Sequence, residues 1–259
     1  MGPLLYRLGP EGFYAATDPD RRARMLHSDP FETLPSAWRF GRPVDLAAAP
    51  LLAPVVPGKI VGVGRNYVEH ARELGNEPPA EPVLFLKSPS SVIGPKAPIV
   101  LPPESSRVEY EGEIAVVLRR TLRRASRAAA AAAVLGVTAA CDVTARDLQR
   151  RDPTFARAKS FDTFCPLGPG VLAEPDLEQL AVTTRLNGEV RQRGRSAEMS
   201  WGIVDLLVYA STMMTLEAGD VVLTGTPAGV GALADGDRLE VEVAGAGVLE
   251  NPVEAWRRG

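Results

Sequence analysis

Glu111 and Glu113 are the residues from which a chemical reading of this chain starts. They sit in the stretch Val108–Val117, VEYEGEIAVV, whose second half is apolar and partly β-branched and reads as a buried β-strand. Side chains alternate faces along a strand, so the two glutamates project the same way, with Gly112 between them. Two parallel carboxylates repel, and one resists ionisation unless a cation lies between them. This stretch alone admits a divalent-metal site or a solvated acidic strand edge, since charged side chains normally sit in water. A third carboxylate, Asp142, ends the small apolar strand VTAAC. Three carboxylates around a doubly charged ion leave a net charge of about −1, with room for water or a chelating substrate. His70 and Glu73 are three apart in VEHARELG, a short helix ended by Gly75, and so share a face. An imidazole beside a carboxylate is a general-base pair or a surface i,i+3 pair. Lys159 is either a donor to a substrate oxyanion or one more lysine.

The elements that must position these groups are strands and turns. Residues 1–58 read as a small strand-rich N-terminal region, LLYRL and GFYAAT being its strand candidates, followed by a proline-rich extended linker over residues 43–58. His27 lies there, in a polar stretch that suits a surface loop. The main domain is expected over residues 59–259. It opens with the strand and Gly turn of KIVGVGRNY; the turn-rich flank GNEPPAEP after the helix suits a lid. VLFLK is a strand ending at Lys87, a substrate-facing cation or a solvated strand end. RRTLRRASRAAAAAAVLG is helical by propensity, with Gly136 as its stop. Arg146, Asp147 and Gln149 fall in a turn or short helix after Asp142. TTRLNGEVRQRG is a hairpin about Asn187-Gly188. SWGIVDLLVYASTMM is an amphipathic helix ending near Thr215. VVLTGTPAGVG opens a strand into a Gly-rich loop that fits neither a P-loop nor a dinucleotide fingerprint, although its N–H groups and Thr226 suit a carboxylate.

Composition excludes several classes. A net charge of −3 gives no electrostatic argument for nucleic acid or an anionic membrane. No apolar run approaches the roughly 20 residues that span a bilayer, and MGPLLYRLGPEGF has no signal-peptide pattern, so a cytoplasmic protein is expected. Cys141 and Cys165, with no CxxC, suggest reduced thiols. Two histidines are too few for a His-rich zinc or copper centre, so any metal is oxygen-held: Mg²⁺, Mn²⁺ or Ca²⁺.

Eight segments, in order, resemble the fumarylacetoacetate hydrolase family, in its branch of acylpyruvate hydrolases, oxaloacetate decarboxylases and 2-hydroxyhepta-2,4-diene-1,7-dioate isomerases: GRNYVEHARELG, PVLFLKSPSSVIG, VEYEGEIAVVL, CDVTARDLQ, KSFDTFCPLGPG, LNGEVRQ, LEAGDVVLTGTPAGVG and GDRLEVEVAGAGVLENPV. The resemblance implies an α+β fold with a mixed, rolled β-sheet and few helices, assembled as a homodimer. It implies that Glu111, Glu113 and Asp142 hold Mg²⁺ or Mn²⁺ and that His70 and Glu73 form the catalytic dyad on a lid helix. Lys159 matches the active-site lysine and Gln149 the nearby amide, while Arg65, Tyr67 and Thr226 border the substrate and Thr163 matches a threonine near the metal in some members. Cys141 stands where the family often has Asn. The implied activity is C–C bond hydrolysis of an acylpyruvate-type 2,4-dioxo acid, with isomerisation or decarboxylation of a 2-oxo acid as the alternative. Outside this class stand a non-catalytic 2-oxo acid binding protein and a metal-free acidic scaffold.

Overall fold

A computed structural model describes residues 2–73, 75, 77 and 79–257. The chain opens with a meander of four strands: β1 (Leu4–Leu8), β2 (Phe13–Thr17), β3 (Ala23–Leu26) and β4 (Phe40–Pro43). There follow β5 (Ile60–Gly64), α1 (Val68–Glu73), β6 (Val83–Lys87), β7 (Val92–Ile93), β8 (Ile99–Leu101), β9 (Val108–Tyr110) and β10 (Gly112–Leu118). The middle of the chain supplies α2 (Arg127–Ala132), β11 (Val134–Cys141), β12 (Thr144–Ala145), α3 (Arg146–Arg151), α4 (Ala156–Lys159) and β13 (Cys165–Ala173). The last third supplies β14 (Ala181–Leu186), β15 (Glu189–Arg195), α5 (Ile203–Met213), β16 (Val221–Leu223), β17 (Gly231–Ala232), β18 (Arg238–Val243) and β19 (Gly247–Ala255). This is an α+β fold dominated by mixed sheet. The largest sheet runs β4-β3-β2-β1-β13-β11-β10-β16-β5-β6; smaller ones run β12-β9-β17 and β15-β14-β18-β19-β8.

Strand β10 is central because its residues are apolar on both faces. Ile114, Val116 and Leu118 enter a core shared with Leu206, Leu207 and Ala210 of α5 and Val241 and Val243 of β18. Ala115 and Val117, on the opposite face, pack in a second core with Leu5, Ala16, Trp38, Ala53 and Val55. Each such side chain contributes about 1.5–3 kcal/mol when fully buried. The proline-rich stretch 43–58 is therefore more than an extended connector: Ala53 and Val55 are core residues, and Leu52 N–H donates to the Arg7 carbonyl at 2.9 Å. Strand β1 pairs with β13, so the N-terminal meander extends the same sheet.

Three local expectations are corrected. Gly136 does not stop a helix. Helix α2 ends at Ala132, and Gly136 lies inside β11, where a Cβ would collide with the Leu172 carbonyl of β13. The alanine run favours helix, but eight residues from Val134 gain ladder hydrogen bonds on both sides, which overrides propensity. The stretch Val108–Val117 is not one strand either; it breaks at Glu111. Before the break β9 pairs with β12 and β17, and after it β10 pairs with β11 and β16. The last helix stops at Met213 rather than Thr215. The Asn187-Gly188 hairpin is present, both residues having positive φ, 55° and 82°.

Gly112 is the pivot of that break, and a Cβ there would strike the buried Thr184 hydroxyl. Gly112→Ala is expected to lower the free energy of unfolding by about 1–3 kcal/mol through overpacking. Urea titration of the two proteins checks it; unchanged stability would mean that the pivot yields freely.

Candidate active site

The break at Glu111 brings three carboxylates together. Asp142 N–H donates to the Glu111 carbonyl at 2.8 Å, tying the end of β11 to the pivot. Glu111, Glu113 and Asp142 each offer one oxygen, all within 4.8 Å of one another, and all three residues are buried. They line a cavity of about 300 Å³ together with His70, Arg65, Arg146, Gln149, Lys159 and Thr226, and with an apolar wall that includes Phe85 and Phe155.

Cations compensate part of this buried charge. Lys159 donates to Glu111 at 2.8 Å, to Asp142, and to the Thr144 hydroxyl at 2.9 Å, with its ammonium 4.8 Å from the Phe85 ring centroid. Lys87 donates to the other Asp142 oxygen at 2.6 Å. Arg146 bridges Glu111 and, at 2.6 Å, Glu109, and its third nitrogen reaches Gln149 Oε1 at 2.6 Å. Burial opposes ionisation of Glu111, yet the Lys159 and Arg146 charges hold its carboxyl well below the usual carboxylate range. Burial also opposes the Lys159 ammonium, but Asp142 and Glu111 raise its pKa. Lys159 is therefore a fixed ammonium rather than a base.

Glu113 has a different environment. Among the described residues its one donor is the Gly225 N–H, at 2.6 Å. Burial, then the Asp142 and Glu111 charges, push its carboxyl well above the usual range. A carboxylate set with one member short of positive charge, built from hard oxygens, fits a divalent cation such as Mg²⁺ or Mn²⁺.

The dyad expected from the helix is also formed. His70 is buried on α1, with Nδ1 3.2 Å from Glu73 Oε2. Glu73 accepts from the Gly229 N–H at 3.0 Å. A carboxylate facing Nδ1 favours the tautomer that leaves Nε2 basic. The Gly-rich loop after β16 thus binds carboxylates belonging to the protein itself, Glu113 and Glu73. In the flank 75–82, residues 76 and 78 lie outside the described residues.

The remaining sites divide. Arg65 lines the cavity with a left-handed backbone, φ 58°. Gln149 and Thr226 line it too. The Thr226 hydroxyl donates to the Gly112 carbonyl at 2.9 Å and accepts from Gln192 at 2.7 Å, so its proton is committed to the pivot. Tyr67 is not among the lining residues; it is buried, its hydroxyl has no partner among the described residues, and burial raises its pKa. Thr163 is likewise away from the cavity wall and accepts from the Val100 N–H at 2.9 Å. Cys141 is a buried free thiol that burial pushes far above its usual pKa. Exposed His27 plays no part in the site.

Sequence reasoning did not assign Lys87, Arg146 or Gln192 to the site. Gln192 accepts from Gly112 N–H at 3.0 Å across 80 residues of sequence and locks the pivot. A lone Lys at a strand end or Gln in a hairpin carries no signal of this; the arginine three before Gln149 was the one visible hint.

Two expectations follow. Because burial and then the Asp142 and Glu111 charges raise the Glu113 pKa well above the usual carboxylate value, a divalent ion competes with a proton at that carboxyl, so affinity for Mn²⁺ rises with pH and protons are released on binding. Titration calorimetry in two buffers of different ionisation enthalpy checks this; identical apparent enthalpies contradict it. Lys87→Met leaves Asp142 buried without its second cation and is expected to cost about 3–5 kcal/mol of stability, read by urea unfolding.

Comparison with known proteins places the chain. Residues 59–254 match the family model described as "Fumarylacetoacetate (FAA) hydrolase C-terminal". Oxaloacetate tautomerase FAHD2A, mitochondrial, of Homo sapiens is 42% identical over 215 residues, covering 78% of this chain and 68% of that protein. The crystal structure of a 2-hydroxyhepta-2,4-diene-1,7-dioate isomerase from Mycobacterium marinum superposes with a TM-score of 0.88 at 38% identity, covering all of both chains. A fumarylacetoacetate hydrolase from Exiguobacterium antarcticum gives 0.83 at 36% identity, covering 98% of this chain and 100% of the other. The chain belongs to the fumarylacetoacetate hydrolase family.

Proposed function

We propose that this protein moves a proton at the carbon beside the keto group of a 2-oxo acid, interconverting its keto and enol forms. The observation that carries this reading is the convergence on one cavity of a carboxylate-oriented histidine and the buried acidic triad. A divalent cation held by Glu111, Glu113 and Asp142 supplies, when bound, Lewis-acid stabilisation of a 2-oxo acid's developing oxyanion. His70 Nε2 takes the proton from C3, Glu73 stabilises the imidazolium that results, and the enolate oxygen then takes up a proton from solvent to give the enol while the imidazolium returns its proton to water. Gln149 gives its carbonyl oxygen to Arg146, which leaves its amide NH₂ to donate to the substrate. Lys159 keeps Glu111 and Asp142 in place as an ammonium. Names borne by relatives, a tautomerase and an isomerase, support the same proton-transfer chemistry.

The hydrolase reading uses the same groups. His70 deprotonates a water, the hydroxide attacks the distal carbonyl of a 2,4-dioxo acid, and the C–C bond breaks to a carboxylic acid and an enolate that takes up a proton. The Exiguobacterium antarcticum enzyme favours keeping it. Simple binding of a 2-oxo acid needs no base, and His70 with Glu73 argues against that reading. We further propose that the chain acts as a homodimer on a small-molecule substrate, with no nucleic acid or membrane partner; among the described residues no helix is long and apolar enough to cross a membrane.

His70→Gln is expected to slow loss of the enol absorbance of oxaloacetate by about 10²–10⁴-fold in the presence of Mg²⁺. Near-normal turnover in that variant overturns the assignment of the base. Pyruvate release from acetylpyruvate by the unaltered protein distinguishes the hydrolase.

A further inference from the structure

The end of β10 remote from the acidic triad carries a cation for which the fold supplies no counterpart. Arg119 directly follows that strand and is only 5% exposed. Its Nε and Nη2 are buried and donate to no acceptor among the described residues. Only its backbone N–H is used, donating to the Ala133 carbonyl at 2.8 Å. Buried donors are normally paired, and a charged one left alone costs more than a neutral one.

Strand alternation explains the placement. Leu118 enters the first core, so Arg119 falls on the face of Ala115 and Val117, which pack in the second. There it lines a cavity of about 310 Å³ with Arg120, Glu174, Leu34, Val134 and Leu177. This cavity shares no residue with the one around the triad. Six residues of extended chain separate Glu113 from Arg119, about 20 Å.

The chemistry of the lining selects a class of ligand. Two arginines and one glutamate leave it with a single net positive charge. Glu174 does not close the pair. It sits at the surface with a left-handed backbone, φ 50°, and its charge only partly offsets the burial and the Arg120 charge that pull the Arg119 pKa down. A planar guanidinium matches a carboxylate through two parallel N–H donors. Leu34, Val134 and Leu177 offer apolar surface to whatever carries that carboxylate. We propose that this cavity is a second ligand site, separate from the active site, which binds a small monocarboxylate with a short apolar chain through Arg119. Arg120 adds attraction, and Glu174 competes with the ligand for the guanidinium. The proposal goes beyond the 2-oxo acid reading and does not rest on it.

Proton–nitrogen correlation NMR of the Arg119 Nε–H reads the site without interference from ligand bound at the triad. The signal is assigned by its loss in Arg119→Met, or in Arg119→Lys should the first variant not fold. Hexanoate is the probe, with hexanol as its neutral analogue, inorganic phosphate as an oxyanion without the chain, and chloride at matched ionic strength as the control for screening. Hexanoate is expected to shift the signal saturably and at lower concentration than phosphate, while hexanol and chloride leave it in place. Glu174→Gln is expected to tighten hexanoate binding by about two- to fivefold, and Arg120→Gln to weaken it by a similar factor, the size of one partly exposed charge interaction. Both variants are expected to keep the turnover of the unaltered protein. No saturable shift, a shift matched by chloride or hexanol, or an affinity unmoved by Glu174→Gln and Arg120→Gln overturns the site. Tighter binding of phosphate than of hexanoate overturns its assignment to a monocarboxylate.

Discussion

The structure is organised around the confinement of like charge. Four carboxylates, Glu109, Glu111, Glu113 and Asp142, are buried where the break between β9 and β10 meets the end of β11. Buried charges are tolerated only when paired, and here Arg146, Lys87 and Lys159 supply the pairing from three separate elements. The compensation is incomplete: among the described residues Glu113 accepts from one backbone N–H and is in direct contact with no cation. That shortfall suits the triad to the divalent ion proposed for it rather than to a set of closed salt bridges.

The fold serves this arrangement through the interruption between β9 and β10. A continuous strand would have kept Glu109, Glu111 and Glu113 in one ladder. The break transfers the chain from the small sheet to the large one, and Gln192 and Thr226 satisfy the backbone groups of Gly112 that the change of direction frees. Rigidity follows from β10, buried on both faces by side chains from the N-terminal meander and from α5. Such a frame holds carboxylates at fixed separation without help from a ligand.

Much of the acidic site was legible in advance because it is local. Glu111 and Glu113 are related by strand alternation, Asp142 by its position at the end of an apolar run, and His70 and Glu73 by one helical turn. What was not legible depends on contacts between distant segments: Lys87 lies 55 residues before Asp142, and Gln192 lies 80 residues after Gly112. Tyr67 and Thr163 stand outside the cavity lining for a related reason, since a motif places a side chain near a site without saying which way it faces. The helix expected up to Gly136 stops at Ala132 because the residues from Val134 onward pair in the sheet, and the stretch 43–58, read as a linker, also supplies Ala53 and Val55 to the core.

The central claim is that His70 and the acidic triad jointly labilise a proton beside a keto group. Exchange of the C3 hydrogens of a 2-oxo acid for deuterium in D₂O, followed by proton NMR with and without Mg²⁺, reads that step directly, whether or not a later bond breaks. The account predicts metal-dependent exchange far above the protein-free rate, lost in Glu113→Gln and in His70→Gln. Exchange at the protein-free rate, with the metal shown by calorimetry to be bound, would contradict it.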